Sequence, residues 1–194
     1  MEGYHRSVLL REGIDTLDVK VGNWYLDCTL GDGGHALEIL RRGGKVVGID
    51  VDPEAIERAK ERVGSLGYLG NSVLIQGNFR DIKNLIQQAD TARQKFAGAI
   101  FDLGVSSLQL ETPERGFSFA KMGPLDMRMD PSLQVRALDL LNALTRKELY
   151  ELFFSLGEEK YSKRLADTLV RSREVGQIIG GRSQGTEIKT TKDL

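Results

Sequence analysis

The feature that most constrains this chain is the stretch YLDCTLGDGGHALEILRRGGKVVGIDVDPEAIERAK, from Tyr25 to Lys60. It opens with an apolar, strand-like run, Tyr25–Leu30, that stops at a glycine cluster, Gly31–Gly34. A helix-like run follows over His35–Arg42 and closes at Gly43 and Gly44. A second apolar run, Lys45–Asp50, ends on an aspartate. Pro53 then opens another helix, running to about Val63, with Asp52 as its cap. Strand, glycine turn, helix, strand and acid in this order predict a βαβ unit with parallel strands. Glycines at such a turn let the backbone bend sharply and approach a ligand closely. Asp50 is placed to accept both hydroxyls of a ribose. GDGGHA therefore reads as a site for an adenosine-containing cofactor, the alternative being a tight turn and nothing more.

The alternation continues. Ser72–Gln76 reads as a third strand, Ile82–Ala89 as a helix and Gly98–Leu103 as a fourth strand. An amphipathic helix over residues 8–19 precedes them, with Val8, Leu9, Ile14 and Leu17 at helical spacing. The fold class is α/β, a Rossmann-like parallel sheet with helices on both faces. The rhythm stops at residues 104–131, a long segment rich in Gly, Pro, Arg and Asp. Helical runs follow at about 132–143, 145–156 and 158–173, then a polar, Gly-rich tail. The expected organisation is a cofactor-binding core over 1–108, a helical insert for substrate recognition over 109–175 and the tail over 176–194.

Composition removes several function classes. The formal net charge of the 194 residues is −1, so charge alone does not decide on nucleic acid. A single cysteine, Cys28, rules out a disulfide framework and a four-cysteine zinc site. His5 and His35 each stand alone, so no metal chemistry is expected. The N-terminal residues carry charges throughout, and no stretch approaches the roughly 20 apolar residues of a membrane span. A soluble cytoplasmic protein is expected.

NAD and S-adenosylmethionine share the strand–glycine–helix–strand–acid layout. Three features lean toward S-adenosylmethionine. In DVDPEAIERAK the acid is followed at once by a capped helix with Ala55 and Ala59 on one face. In GNFRDI, Phe79 can stack on an adenine or form an apolar wall. In FDLGVSS the fourth strand ends in Asp102, which puts that carboxylate in the same crevice as Gly33 and Asp50. There it holds an ammonium group, faces the substrate, or merely caps a turn.

Six blocks carry a resemblance: HRSVLLREGIDTL, LDCTLGDGGHALEIL, GIDVDPEAI, GNFRDI, FDLGVSSLQLETPERGFSFAKMGPLDMRMD and LGEEKYSKRLADTLVRSRE. Together they span nearly all of residues 5–174, and the block from Phe101 to Asp130 is highly specific. The chain resembles the cytosine-N4 methyltransferases of small-subunit ribosomal RNA, the RsmH or MraW family. The resemblance implies an S-adenosylmethionine-dependent methyltransferase fold and methylation at N4 of a cytidine in the decoding region of 16S ribosomal RNA. It implies that Gly33, Gly34, His35, Asp50, Phe79, Asp102 and Gln109 line the cofactor, beside Gly31 of the glycine turn.

Methyl transfer from a sulfonium is an in-line displacement, so the protein mainly positions the reactants and excludes water. The cytosine amine needs a hydrogen-bond acceptor that localises its lone pair and takes a proton. Asp102 or a neighbouring backbone carbonyl is the candidate, with Asp126 and Asp130 of LDMRMD as runners-up. The prolines and aromatic that follow strand four in many amine methyltransferases are missing from Asp102-Leu103-Gly104-Val105. Methylation at cytosine C5 would need a nucleophilic cysteine, and Cys28 lies in the first strand facing the core. Base deamination would need paired cysteines.

RNA contacts must come from local charge. Arg115, Phe117 and Arg128 lie in the long segment and Lys163 and Arg164 on the last helix. Arg115 and Arg128 can instead pair with Asp126 and Asp130, and Phe117 can pack in a core. Members of the resembled family continue further and return to the sheet with its last strands. A four-stranded sheet with an open edge at strand four is therefore expected, which self-association as a homodimer would cover. A non-catalytic cofactor- and RNA-binding protein and a nicotinamide-dependent oxidoreductase are the competing readings.

Overall fold

A computed structural model describes residues 9–89, 91, 94–174 and 188–192. His5 lies outside them, as does most of the expected tail. The chain divides into two compact units, residues 1–106 and residues 107–194.

Unit 1 holds α1 (Leu10–Leu17), β1 (Trp24–Asp27), α2 (Gly34–Arg41), β2 (Lys45–Asp50), α3 (Pro53–Ser65), β3 (Ser72–Gln76), α4 (Ile82–Gln88) and β4 (Phe96–Ile100). The four strands form a parallel sheet in the order β3-β2-β1-β4. This is the Rossmann-like order in which the chain reverses direction beside β1, so the crevice opens at the carboxyl ends of β1 and β4. β2 is the most buried strand, with Val46, Val47 and Ile49 fully enclosed, as parallel sheets covered by helices require. Its Gly48 is there for space: a Cβ would come within 2.7 Å of Leu30. Ile14 of α1, Ala36, Ile39 and Leu40 of α2, and Ile56, Ala59 and Val63 of α3 close over Tyr25 and Val46 as one core. Each such burial stabilises by about 1–3 kcal/mol. The Tyr25 hydroxyl accepts the Lys20 amide at 2.8 Å, which satisfies the one polar atom this residue brings to the interior. Among the described residues β4 pairs only with β1, and its Ala97 and Ala99 are exposed.

Asp52 caps α3 as expected, accepting the Glu54 amide at 3.1 Å with Pro53 in the first turn. Strand ends differ from the sequence reading. β1 stops at Asp27 and β4 at Ile100, so Cys28 and Asp102 follow their strands, and the Cys28 amide still donates to the Ile100 carbonyl at 3.0 Å.

Unit 2 contains α5 (Ser107–Glu111), α6 (Ala137–Ala143), α7 (Arg146–Ser155) and α8 (Ser162–Glu174). Leu125, Leu141, Leu149, Ala166, Leu169 and Ile188 form its core. Residues 188–192 of the expected tail belong to it: Thr190 bridges Pro124 and the Thr191 amide donates to Gly123 at 3.0 Å. Thr145 and Glu148 cap α7 reciprocally. The helix expected from 132 begins at Ala137 instead. Asp130 captures the Ser132 amide at 2.9 Å and its hydroxyl at 2.6 Å, which holds a turn where the helix would have started.

Candidate functional site

The glycine turn joins β1 to α2. Gly31 and Gly33 have φ of 52° and 79°, backbone that favours glycine. Gly33 is the residue before α2, and a Cβ on it would sit 3.3 Å from Ala59 of α3. A Cβ on Gly31 would meet nothing within 4 Å, so the turn has open space beside it. Gly34 and His35 begin α2, and both are buried. On the outer side, Asp32 pairs with Arg62 of α3 at 3.0 Å.

Asp50, closing β2, braces this turn. Its Oδ2 accepts the Gly31 amide at 2.8 Å and its Oδ1 the Asp52 amide at 3.0 Å. Burial pushes the Asp50 carboxyl above its ordinary value, while these amides pull it back down. Across the crevice, the Asp102 amide donates to the Thr29 hydroxyl at 2.7 Å, which ties the exit of β4 to that of β1. Phe79, in the short turn after β3, meets Phe101 edge-on with centroids 5.6 Å apart. β3 and β4 are at opposite ends of the sheet, so this ring pair spans the strand ends between them. Gly31, Gly33, Asp50 and Asp102 are thereby brought together at one end of the sheet, with Phe79 over it.

Two participants have no counterpart among the residues the sequence singled out. One is Phe101, whose ring is half exposed. The other is Asp27, the last residue of β1, which is fully buried. Burial, with like charge from Asp50 and Asp102, holds Asp27 up at about 7. The parallel with Asp50 was the available signal: each strand closes on an aspartate beside the glycine turn. Cys28 is buried and its thiol is pushed up to about 11, chiefly by burial, which disqualifies it as a nucleophile.

The remaining candidates lie in unit 2. Gln109 is buried in α5. Asp126 is clasped by Arg128, with Nε at 2.8 Å from Oδ1 and Nη2 at 2.6 Å from Oδ2. This pairing holds the Asp126 carboxyl below its ordinary value and makes it a weak proton acceptor. Arg128 also donates to the carbonyls of Pro131 and Leu133. Arg115 donates to the carbonyls of Arg128 and Met129 at 3.0 and 3.1 Å. The expected pairing of Arg128 with Asp126 is present; Asp130 instead holds Ser132. Both arginines are thus fastened to the 126–133 loop. Phe117 is half-buried, whereas Phe119 is 91% exposed. Lys163 and Arg164 are exposed on α8. Among the described residues no group of His, Cys, Asp and Glu is arranged to hold a metal, and no helix is long and apolar enough to cross a membrane.

Comparison with known proteins adds the family. Residues 2–193 match the model of the MraW methylase family. The chain is 43% identical over 181 residues to ribosomal RNA small subunit methyltransferase H of Clostridium botulinum strain Loch Maree, covering 92% of this chain and 57% of that protein. The homologue from strain Kyoto is also 43% identical, with the same coverage. This chain therefore spans little more than half the length of the curated relatives it matches. Among solved structures, an rRNA methylase from Streptococcus thermophilus aligns at 21% identity and TM-score 0.43, covering 62% of this chain and 72% of that one. An RNA methyltransferase from Salinibacter ruber, in complex with S-adenosyl-L-homocysteine, aligns at 21% identity and TM-score 0.38, covering 41% of this chain and 52% of that one. On the family match and the identity to these homologues, the chain belongs to the MraW methylase family, a family of S-adenosylmethionine-dependent methyltransferases.

Proposed function

We propose that unit 1 binds S-adenosylmethionine and that the protein methylates N4 of a cytidine in the decoding region of 16S ribosomal RNA, in the cytoplasm. The observation that carries the reading is Asp50, strung between the amides of Gly31 and Asp52 at the strand ends. A carboxylate so fixed offers its remaining lone pairs to a ribose. The open space beside Gly31 and the exposed ring of Phe79 fit the rest of an adenosyl group.

S-Adenosylmethionine, when bound, supplies a methyl group already activated by a positive sulfur. Gly31, Gly33, Gly34 and His35 would hold its aminoacyl part, Asp50 its ribose and Phe79 its adenine. Gln109 is a further cofactor residue by resemblance. Asp102, exposed beyond β4, is the preferred acceptor for the amine proton; Asp126, already engaged by Arg128, ranks below it, and Asp130 is occupied by Ser132. Lys163 and Arg164 suit RNA phosphates, and the charge of Arg128 is largely answered by Asp126. A second copy could pair along the side of β4 that has no neighbouring strand among the described residues.

Calorimetric titration of the 194-residue chain with S-adenosylhomocysteine, with NAD in parallel, tests the cofactor. Saturable binding of the first alone is expected, weakened about 100-fold in Asp50→Ala through loss of charge-assisted hydrogen bonds. Binding of NAD alone would overturn the reading.

A further inference from the structure

Asp27 takes no part in the cofactor contacts just described, yet it is the most unusual side chain in unit 1. It is fully buried, and its Oδ2 has no hydrogen-bond partner among the described residues. Its Oδ1 accepts the Thr29 amide at 3.3 Å, and the Ala36 amide of α2 also reaches the carboxyl. Asp27 is therefore stapled beneath the glycine turn, between the end of β1 and the first turns of α2. The charges that act on it, Asp50 from β2 and Asp102 from beyond β4, are both negative. Cys28, next in the chain, feels the Asp27 charge, and His35 precedes Ala36 at the start of α2. Arg62 of α3 is paired with Asp32 on the outer side of the turn.

A buried carboxyl with a bare oxygen and like-charged neighbours is costly to ionise. A cation arriving at the strand ends reverses that cost. We infer that Asp27 is a positioning residue whose charge follows that of the bound cofactor: it releases its proton to solvent when the sulfonium donor binds and keeps it when the uncharged thioether product binds. This rests on the S-adenosylmethionine reading above. Burial and the two carboxylates hold Asp27 at about 7, so the proton exchanges near neutral pH. The consequence is selectivity: ionised Asp27 favours the donor over the product, and the preference grows as pH rises.

The test is titration of the full chain with S-adenosylmethionine and with S-adenosylhomocysteine between about pH 6 and pH 8, in wild type and Asp27→Asn. The ratio of product Kd to donor Kd should rise about tenfold over that range in wild type and stay within about twofold in the variant. Ligand amines titrate identically against both proteins, so the comparison cancels them. Should the variant not fold, the wild-type chain is titrated at neutral pH in two buffers of different ionisation enthalpy. Donor binding should then release more protons than product binding. A flat ratio, or equal proton release, overturns the inference while leaving the cofactor site standing. Failure of both ligands to bind at any pH overturns the cofactor site and the inference together.

Discussion

Aspartates meet opposite circumstances in the two units. In unit 1, Asp27, Asp50 and Asp102 converge on one end of the sheet, and Asp27 and Asp50 are both pushed above their ordinary values, chiefly by burial. In unit 2, Asp126 is held by Arg128 and Asp139 by Arg136 at 2.9 Å. Both are pulled down, Asp139 to about 2, first by the arginine hydrogen bond. A carboxylate with a guanidinium at hydrogen-bond distance is a fastening. Carboxylates gathered beneath a glycine turn, facing each other, leave positive charge to be supplied by a ligand. Uncompensated charge is thus a better guide to the site than the number of charges: the arginine-rich 107–136 segment is largely occupied with holding itself together.

The largest expected effect comes from removing the backbone scaffold of the unit 2 pairings. Gly116 has φ of 71°, and a Cβ there would collide with the Pro124 carbonyl and lie 2.8 Å from the Asp126 amide. Gly116→Ala should cost at least about 3 kcal/mol and lower the thermal midpoint by roughly 10 °C. An unchanged midpoint by circular dichroism would show that the loop adapts and that its ion pair needs no fixed backbone.

The contrast sharpens with pH. Asp27 has a folded value near 7 against 3.8 for the unfolded chain. The folded state therefore keeps this proton to higher pH, and the associated stability, complete below the unfolded value, is lost as pH rises through 7. From about pH 5 to pH 8 wild type should lose on the order of 3 kcal/mol relative to Asp27→Asn, read by urea denaturation. Parallel stability curves would mean that Asp27 is not protonated in the free protein.

The smallest effect tests whether the unit 2 fastening depends on geometry. Arg128→Lys keeps the charge but loses the fork that meets both oxygens of Asp126 and the two carbonyls beyond. A small destabilisation is expected, because the pair is partly exposed and screened by solvent. Full retention of stability in chemical denaturation would reduce the pair to a surface contact.

Much of unit 1 is legible in the sequence because its signals are local. The glycine turn, the Asp52 cap and the apolar run into Asp50 are settled within a few residues along the chain. Unit 2 is less legible: apolar spacing suggested a helix from 132, while Asp130 and Ser132 form a competing turn, and only their side-chain contact decides between them. The sequence by itself determined the βαβ core, the likeness to a methylase family and the position of the glycine turn. The tertiary structure alone decided that Phe101 reaches Phe79 across the strand ends, that Arg115 serves backbone carbonyls, and that Asp27 is buried with an unpartnered oxygen. Burial and charge compensation are sums over neighbours distant in sequence, so no local pattern encodes them.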